Sequence, residues 1–218
     1  MQCLADAGIA TALLSEFLTG RAPERSAVLT FDDGHESNFT VALPILQRHG
    51  FRAEFFVTVA RVGSPGFMSW EQLRKMSEAG MSVQSHGYHH EPLTSAETID
   101  LVEELRAARE LLQQNLGTSV KYLAVPGGFA DQRVYRAAKA AGYEAVCNSE
   151  PGVARAGDVI PRIAVMHSMS ERAFAGLVRR SPAQLLRMIV QRKLGRAAKT
   201  LIGVERYEAL KRLGLRRS

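Results

Sequence analysis

Four glycines constrain this chain more than any other feature. Helix-like stretches stop at Gly50, Gly80, Gly117 and Gly142, and after each the chain soon enters a short apolar run. Glycine just past a helix end takes the left-handed conformation that releases the chain from the helix. SNFTVALPILQRHG (37–50) has apolar positions at helical spacing, and the AEFFVTV run (53–59) has the aromatic and β-branched content of a buried strand. Extended along the chain, this rhythm predicts strands at 27–31, 53–59, 81–85, 121–125, 143–147 and 159–165. It predicts helices at 2–18, 37–50, 69–79, 95–116 and 131–141. Strands alternating with helices of these lengths argue for a parallel α/β sheet or barrel.

With 218 residues, 46% hydrophobic and 23% charged, the chain can bury one substantial core. Its two cysteines, Cys3 and Cys147, lie far apart without a CxxC spacing, so a metal would need His and carboxylate ligands. The first twenty residues lack a basic start followed by a long apolar core, and no stretch reaches the roughly 18 apolar residues of a spanning helix. The expectation is a cytoplasmic protein, a reading that falls if the given start is late and an export signal lies upstream of it. Charge is divided unevenly: residues 172–218 carry 13 Lys and Arg against 2 Asp and Glu, whereas residues 1–171 carry 15 against 20. The expected division is a catalytic domain over 1–170 and a basic helical extension over 171–218.

Two strand ends carry the chemistry. In LTFDDGHESN (29–38) an apolar run ends in Asp32 and Asp33, and Gly34 permits a tight turn that exposes them. The C-terminal edge of a strand is where α/β proteins place reactive groups, although an Asp-rich turn or helix cap gives the same letters. In SVQSHGYHHEPL (82–93), His86 and His90 are four apart, which on a helical turn or tight loop brings two imidazoles to one side. A carboxylate plus two histidines leaves an open position for water on zinc or a similar ion. One aspartate can then hold the metal while its neighbour takes a proton from that water.

These motifs resemble the polysaccharide deacetylases, also called NodB-homology or carbohydrate esterase family 4 proteins. The resemblance rests on TFDDG (30–34), on SHxxxH (85–90) followed by Pro92 and Leu93, and on the order of elements from about 26 to 165. It implies a distorted (β/α) barrel of about seven parallel strands, with the C-terminal helices added. It also implies hydrolysis of acetyl groups, usually N-acetyl on an amino sugar. Carried over, Asp32 is the general base, and Asp33, His86 and His90 hold a divalent metal, zinc foremost with cobalt, nickel or manganese as alternatives. The third motif departs from the family: in AVPGGF (124–129), Ala124 stands in place of an arginine and Gly127 in place of an aromatic. This Pro-Gly-Gly form is similar to a subgroup associated with bacterial exopolysaccharide and cell-surface glycan pathways. Gly127 can still offer its backbone N–H to an oxyanion, and Arg162 either replaces the missing charge from a neighbouring strand or is a surface arginine at a strand start. His167, in VMH (165–167), fits the family's hydrophobic-x-His segment and is the candidate general acid. His35 can line the cleft or face solvent as a turn histidine, and Trp70 and Tyr88 can stack on a sugar face or belong to the core. His89 is expected as a neighbour of the site and not a ligand, and Glu54 has no role.

The implied substrate is an acetylated glycan. The same framework also suits a hydrolase of a non-sugar amide or ureide, or a weak or inactive carbohydrate-binding relative. The basic segment beyond Ser181 suits peripheral contact with an anionic membrane, or packing against the barrel with its charges in water. No nucleic-acid motif is present. The sequence does not set an oligomeric state.

Overall fold

The computed structural model describes residues 1–95, 98–128, 130–166, 168–179 and 181–190. Two compact units are present, one formed by Met1–Ser149 with Val153–Arg162 and the other by Glu150–Gly152 with Ile163–Ser218.

The first unit begins with α1 (Gln2–Asp6), β1 (Ala10–Thr11) and α2 (Leu14–Leu18), followed by β2 (Ser26–Ala27) and β3 (Thr30–Phe31). The single helix expected over 2–18 is therefore two. Gly8, at φ 62°, turns the chain out of α1, and Ala10 and Thr11 pair with Ser26 and Ala27 as a separate two-stranded parallel ladder. A π-helical turn (Asn38–Ala42) runs into α3 (Leu43–Arg48). Then come β4 (Glu54–Val57), α4 (Trp70–Glu78), β5 (Ser82–Ser85), α5 (Thr98–Leu116), β6 (Tyr122–Ala124), α6 (Gln132–Ala140), β7 (Ala145–Asn148) and β8 (Val159–Pro161). The strand expected to reach 165 stops at Pro161.

The six strands β3 to β8 form one sheet in sequence order, every neighbouring pair parallel. The sheet curls into a half-barrel and agrees with the expected distorted barrel, with six strands against about seven. Helices cover its outer face, which is why β4 and β7 are buried along their whole length. Leu46, Leu73, Met76, Leu101, Leu105 and Leu112 form that outer layer, each essentially without exposure.

The concave face is filled by Leu14, Phe56, Tyr122, Ala124, Ala145, Cys147 and Ile160, with Phe17, Leu18 and Val28 packed against them. In strand pairs two residues apart, such as Tyr122 with Ala124 and Ala145 with Cys147, the side chains share this face. Continuing the period past the strand ends puts Asp32 after Thr30, His86 after Gln84 and Arg162 after Ile160 at the C-terminal rim.

The second unit contains α7 (Glu171–Val178), capped by the Ser170 hydroxyl, which accepts from Ala173 N–H. Residues 182–190 are also helical. The basic segment beyond residue 190 lies outside the described residues.

Candidate metal centre and catalytic aspartate

Asp32 and Asp33 leave β3 in opposite senses. Asp32 keeps the strand's direction and meets Arg162, whose Nη1 and Nη2 donate to Oδ1 and Oδ2 at 2.7 and 2.8 Å. Arg162 Nη1 also donates to the Thr30 hydroxyl at 3.1 Å and Nε to the Asn148 carbonyl at 3.3 Å, while its guanidinium lies over the Phe56 ring. This two-toothed grip fixes the plane of the carboxylate. Burial by itself would raise the Asp32 pKa, but the Arg162 hydrogen bonds and charge outweigh it and hold the carboxyl below its ordinary value. Asp32 is therefore a carboxylate at neutral pH.

Asp33 takes φ 72°, and His90 takes φ 70°; among the described residues they are the only non-glycine positions with positive φ. Such backbone is costly for residues bearing a Cβ and concentrates at functional sites. The turn at Asp33 swings its carboxylate toward the loop after β5. There His90 Nε2 lies 2.8 Å and His86 Nε2 3.5 Å from Asp33 Oδ1. One donor atom from each of Asp33, His86 and His90 falls within 4.8 Å of the others.

The three donors fit a metal ion. His86 is buried and its Nδ1 lies 2.8 Å from the Ala124 carbonyl, so Nδ1–H donates there and leaves the Nε2 lone pair facing Asp33. Burial lowers the His86 pKa, which favours the neutral ring a metal requires. Asp33 Oδ1 is buried with no hydrogen-bond partner. Ligand atoms at zinc's bond lengths of about 2.0–2.1 Å in tetrahedral array stand about 3.3 Å apart, close to the separations seen here. A buried carboxylate oxygen without a hydrogen bond, 2.8 Å from one imidazole nitrogen and 3.5 Å from another, is the donor chemistry of a cation site.

Of the other expected residues, Gly127 lies in the exposed turn after β6 at φ 68°, within the buried Pro126 and Gly128. Gly128, at φ 73°, has no room for a Cβ because the Ser149 side chain fills that space. His167 lies outside the described residues. His35 stacks on Phe67 with ring centroids 4.7 Å apart, and its Nε2 is 3.7 Å from Asp33 Oδ2. Tyr88 and His89 line a cleft of about 720 Å³ with Glu91, Asp100 and Glu103. His89 is not part of the donor cluster; its Nδ1 lies 2.7 Å from Oε2 of Glu104, a residue that belongs to no motif of the sequence. The signal for Glu104 was present as a carboxylate within the apolar stripe Leu101, Leu105, Ala108, Leu112 of α5.

A half-barrel of parallel strands with an Asp-His-His donor set and an arginine-held aspartate at its C-terminal rim is a layout suited to metal-assisted hydrolysis. The chain belongs to the polysaccharide deacetylase family, whose model matches residues 19–146. It is similar to the peptidoglycan-N-acetylmuramic acid deacetylase PdaA of Bacillus subtilis, 30% identical over 60% of this chain and 49% of that protein. It is also similar to the poly-beta-1,6-N-acetyl-D-glucosamine N-deacetylase of Staphylococcus aureus, 27% identical over 77% of this chain and 63% of the relative. The chain thus spans about half to under two thirds of the length of the curated relatives it matches. In fold it resembles the Streptococcus pyogenes deacetylase PplD, with TM-score 0.74 and 24% identity, covering 86% of this chain and 83% of that one.

Proposed function

We propose that the chain is a metal-dependent hydrolase that removes N-acetyl groups from a glycan in exopolysaccharide or cell-surface polymer synthesis. The observation that carries this reading is the convergence of Asp33, His86 and His90 beside the Arg162-held Asp32. A divalent ion, zinc by the nitrogen and oxygen character of its donors, would polarise the acetyl carbonyl and acidify a water molecule. Asp32, ionised and fixed in orientation, accepts a proton from the attacking water on a carboxylate oxygen. As the carbonyl carbon gains the water oxygen, the backbone N–H of Gly127 supplies a donor to the oxygen that becomes negative. The C–N bond then breaks, acetate departs, and the amine takes a proton from a general acid, the role assigned to His167.

The similarity to enzymes named for peptidoglycan N-acetylmuramic acid and poly-beta-1,6-N-acetyl-D-glucosamine supports an amino-sugar polymer as substrate. Among the described residues no helix is long and apolar enough to cross a membrane. The excess of Lys and Arg in 172–218 supports peripheral contact with an anionic surface.

The test is acetate release from N-acetylated amino-sugar oligomers by zinc-reconstituted protein, run beside Asp32→Asn and His86→Ala. Release that depends on zinc and falls at least about 100-fold in both variants is expected. Stoichiometric zinc binding without release from any such oligomer would move the assignment to a different amide.

A further inference from the structure

The loop that carries both histidines is held by a residue outside it. Glu104 projects from α5 with its side chain only 16% exposed. Its Oε1 accepts the backbone N–H groups of both Tyr88 and His89, each at 2.9 Å, and its Oε2 receives Nδ1–H of His89 at 2.7 Å. On the opposite side, Val59 and Ala60 N–H donate to the carbonyls of Gly87 and Tyr88 at 3.3 and 2.9 Å. The loop is therefore clamped through its N–H groups by a helix and through its carbonyls by the segment leaving β4. Within this clamp Gly87 takes φ 77° and His90 takes φ 70°. Left-handed backbone is unfavourable at a histidine and persists only where neighbouring contacts over-determine it.

We propose that Glu104 is a positioning residue that holds loop 86–90 in the strained form presenting His86 and His90 together to Asp33. The proposal rests on reading those three residues as metal donors. Two consecutive N–H groups aimed at one carboxylate oxygen are charge-assisted bonds in a largely buried setting. Without the carboxylate they lose their acceptor, and His90 can relax out of the left-handed region, carrying its Nε2 away from the 2.8 Å approach to Asp33. An incoming ion would then have to order the loop before binding. The His89 arm is secondary, because that side chain is 62% exposed and competes with water.

The variants separate these contributions. Glu104→Ala removes all three bonds; Glu104→Gln keeps an oxygen for the two backbone N–H groups; His89→Phe removes only the side-chain arm. Zinc affinity of the full chain, measured by competition with a chromophoric chelator, should fall about 10- to 100-fold in Glu104→Ala. It should change less than about threefold in Glu104→Gln and His89→Phe. In the metal-free chain, amide hydrogen exchange at Tyr88 and His89 should accelerate in Glu104→Ala, while the amides of α5 keep their protection and show that the fold persists. A folded Glu104→Ala with unaltered zinc affinity and unaltered protection at both amides overturns the proposal. Failure of the unaltered chain to bind zinc overturns the metal reading instead; the exchange comparison then decides the brace alone, retained protection at Tyr88 and His89 counting against it.

Discussion

Asp32 and Asp33 share one chemistry, and the backbone gives them different work. Asp32 follows the strand period and is gripped by Arg162; Asp33, turned into the left-handed region, faces two imidazoles. Losing the grip frees the Asp32 carboxylate to rotate and exposes it to water. Arg162→Met should therefore reduce acetate release about 100-fold while leaving zinc stoichiometry unchanged, measurable by kinetics beside metal analysis. It should also cost about 2 kcal/mol of stability, less than a fully buried pair because Asp32 is 34% exposed. Arg162→Lys retains the charge without the fork and should fall between the two. The sequence marks Asp32, Asp33, His86 and His90 because polar side chains end apolar strands beside glycines. Arg162 could be read only as a candidate, since its partner lies 130 residues away. Glu104 shows in the sequence only as a carboxylate within an apolar helix stripe; what it holds does not show, because backbone N–H groups carry no letter.

At the scale of elements, the sequence rhythm locates each strand and helix of the main sheet to within a few residues, because glycine termini and buried strands are local signals. It fails at the start of the chain, where α1, β1 and α2 are each too short to show a period. There α2 packs into the concave face through Leu14, whose N–H donates to Glu54 Oε1 at 2.7 Å. Glu54 is wholly buried and its Oε2 has no hydrogen-bond partner. Burial, only partly offset by hydrogen bonds, pushes its pKa from the ordinary 4.5 up to about 7. Between those two values the folded chain keeps a proton that the unfolded chain has released, so stability falls as pH rises through the window and levels off above about 7. The shift corresponds to a loss on the order of 3 kcal/mol. Urea unfolding at pH 5 and pH 8 should show a larger drop in the unaltered chain than in Glu54→Gln, which carries no titrating proton at this position. An equal drop in both would mean that Glu54 does not titrate in that range.

For the whole molecule, the charge division sets the expectation. With 13 Lys and Arg against 2 Asp and Glu in residues 172–218, the full chain should sediment with vesicles containing anionic lipid, and added salt should release it. A chain ended at residue 170 should stay in the supernatant under the same conditions. Retention of vesicle binding by the shortened chain would assign the contact elsewhere.

Because β3 and β8 are the two edges of an open sheet, the bond between Asp32 and Arg162 spans the gap from the first strand to the last. A polypeptide emerging from the ribosome carries Asp33, His86 and His90 once residue 90 is out, but Glu104, the Ala124 carbonyl that holds His86, and Arg162 follow only later. A nascent or stalled chain therefore completes this rim only when its last strand arrives, however early its two aspartates have left the ribosome.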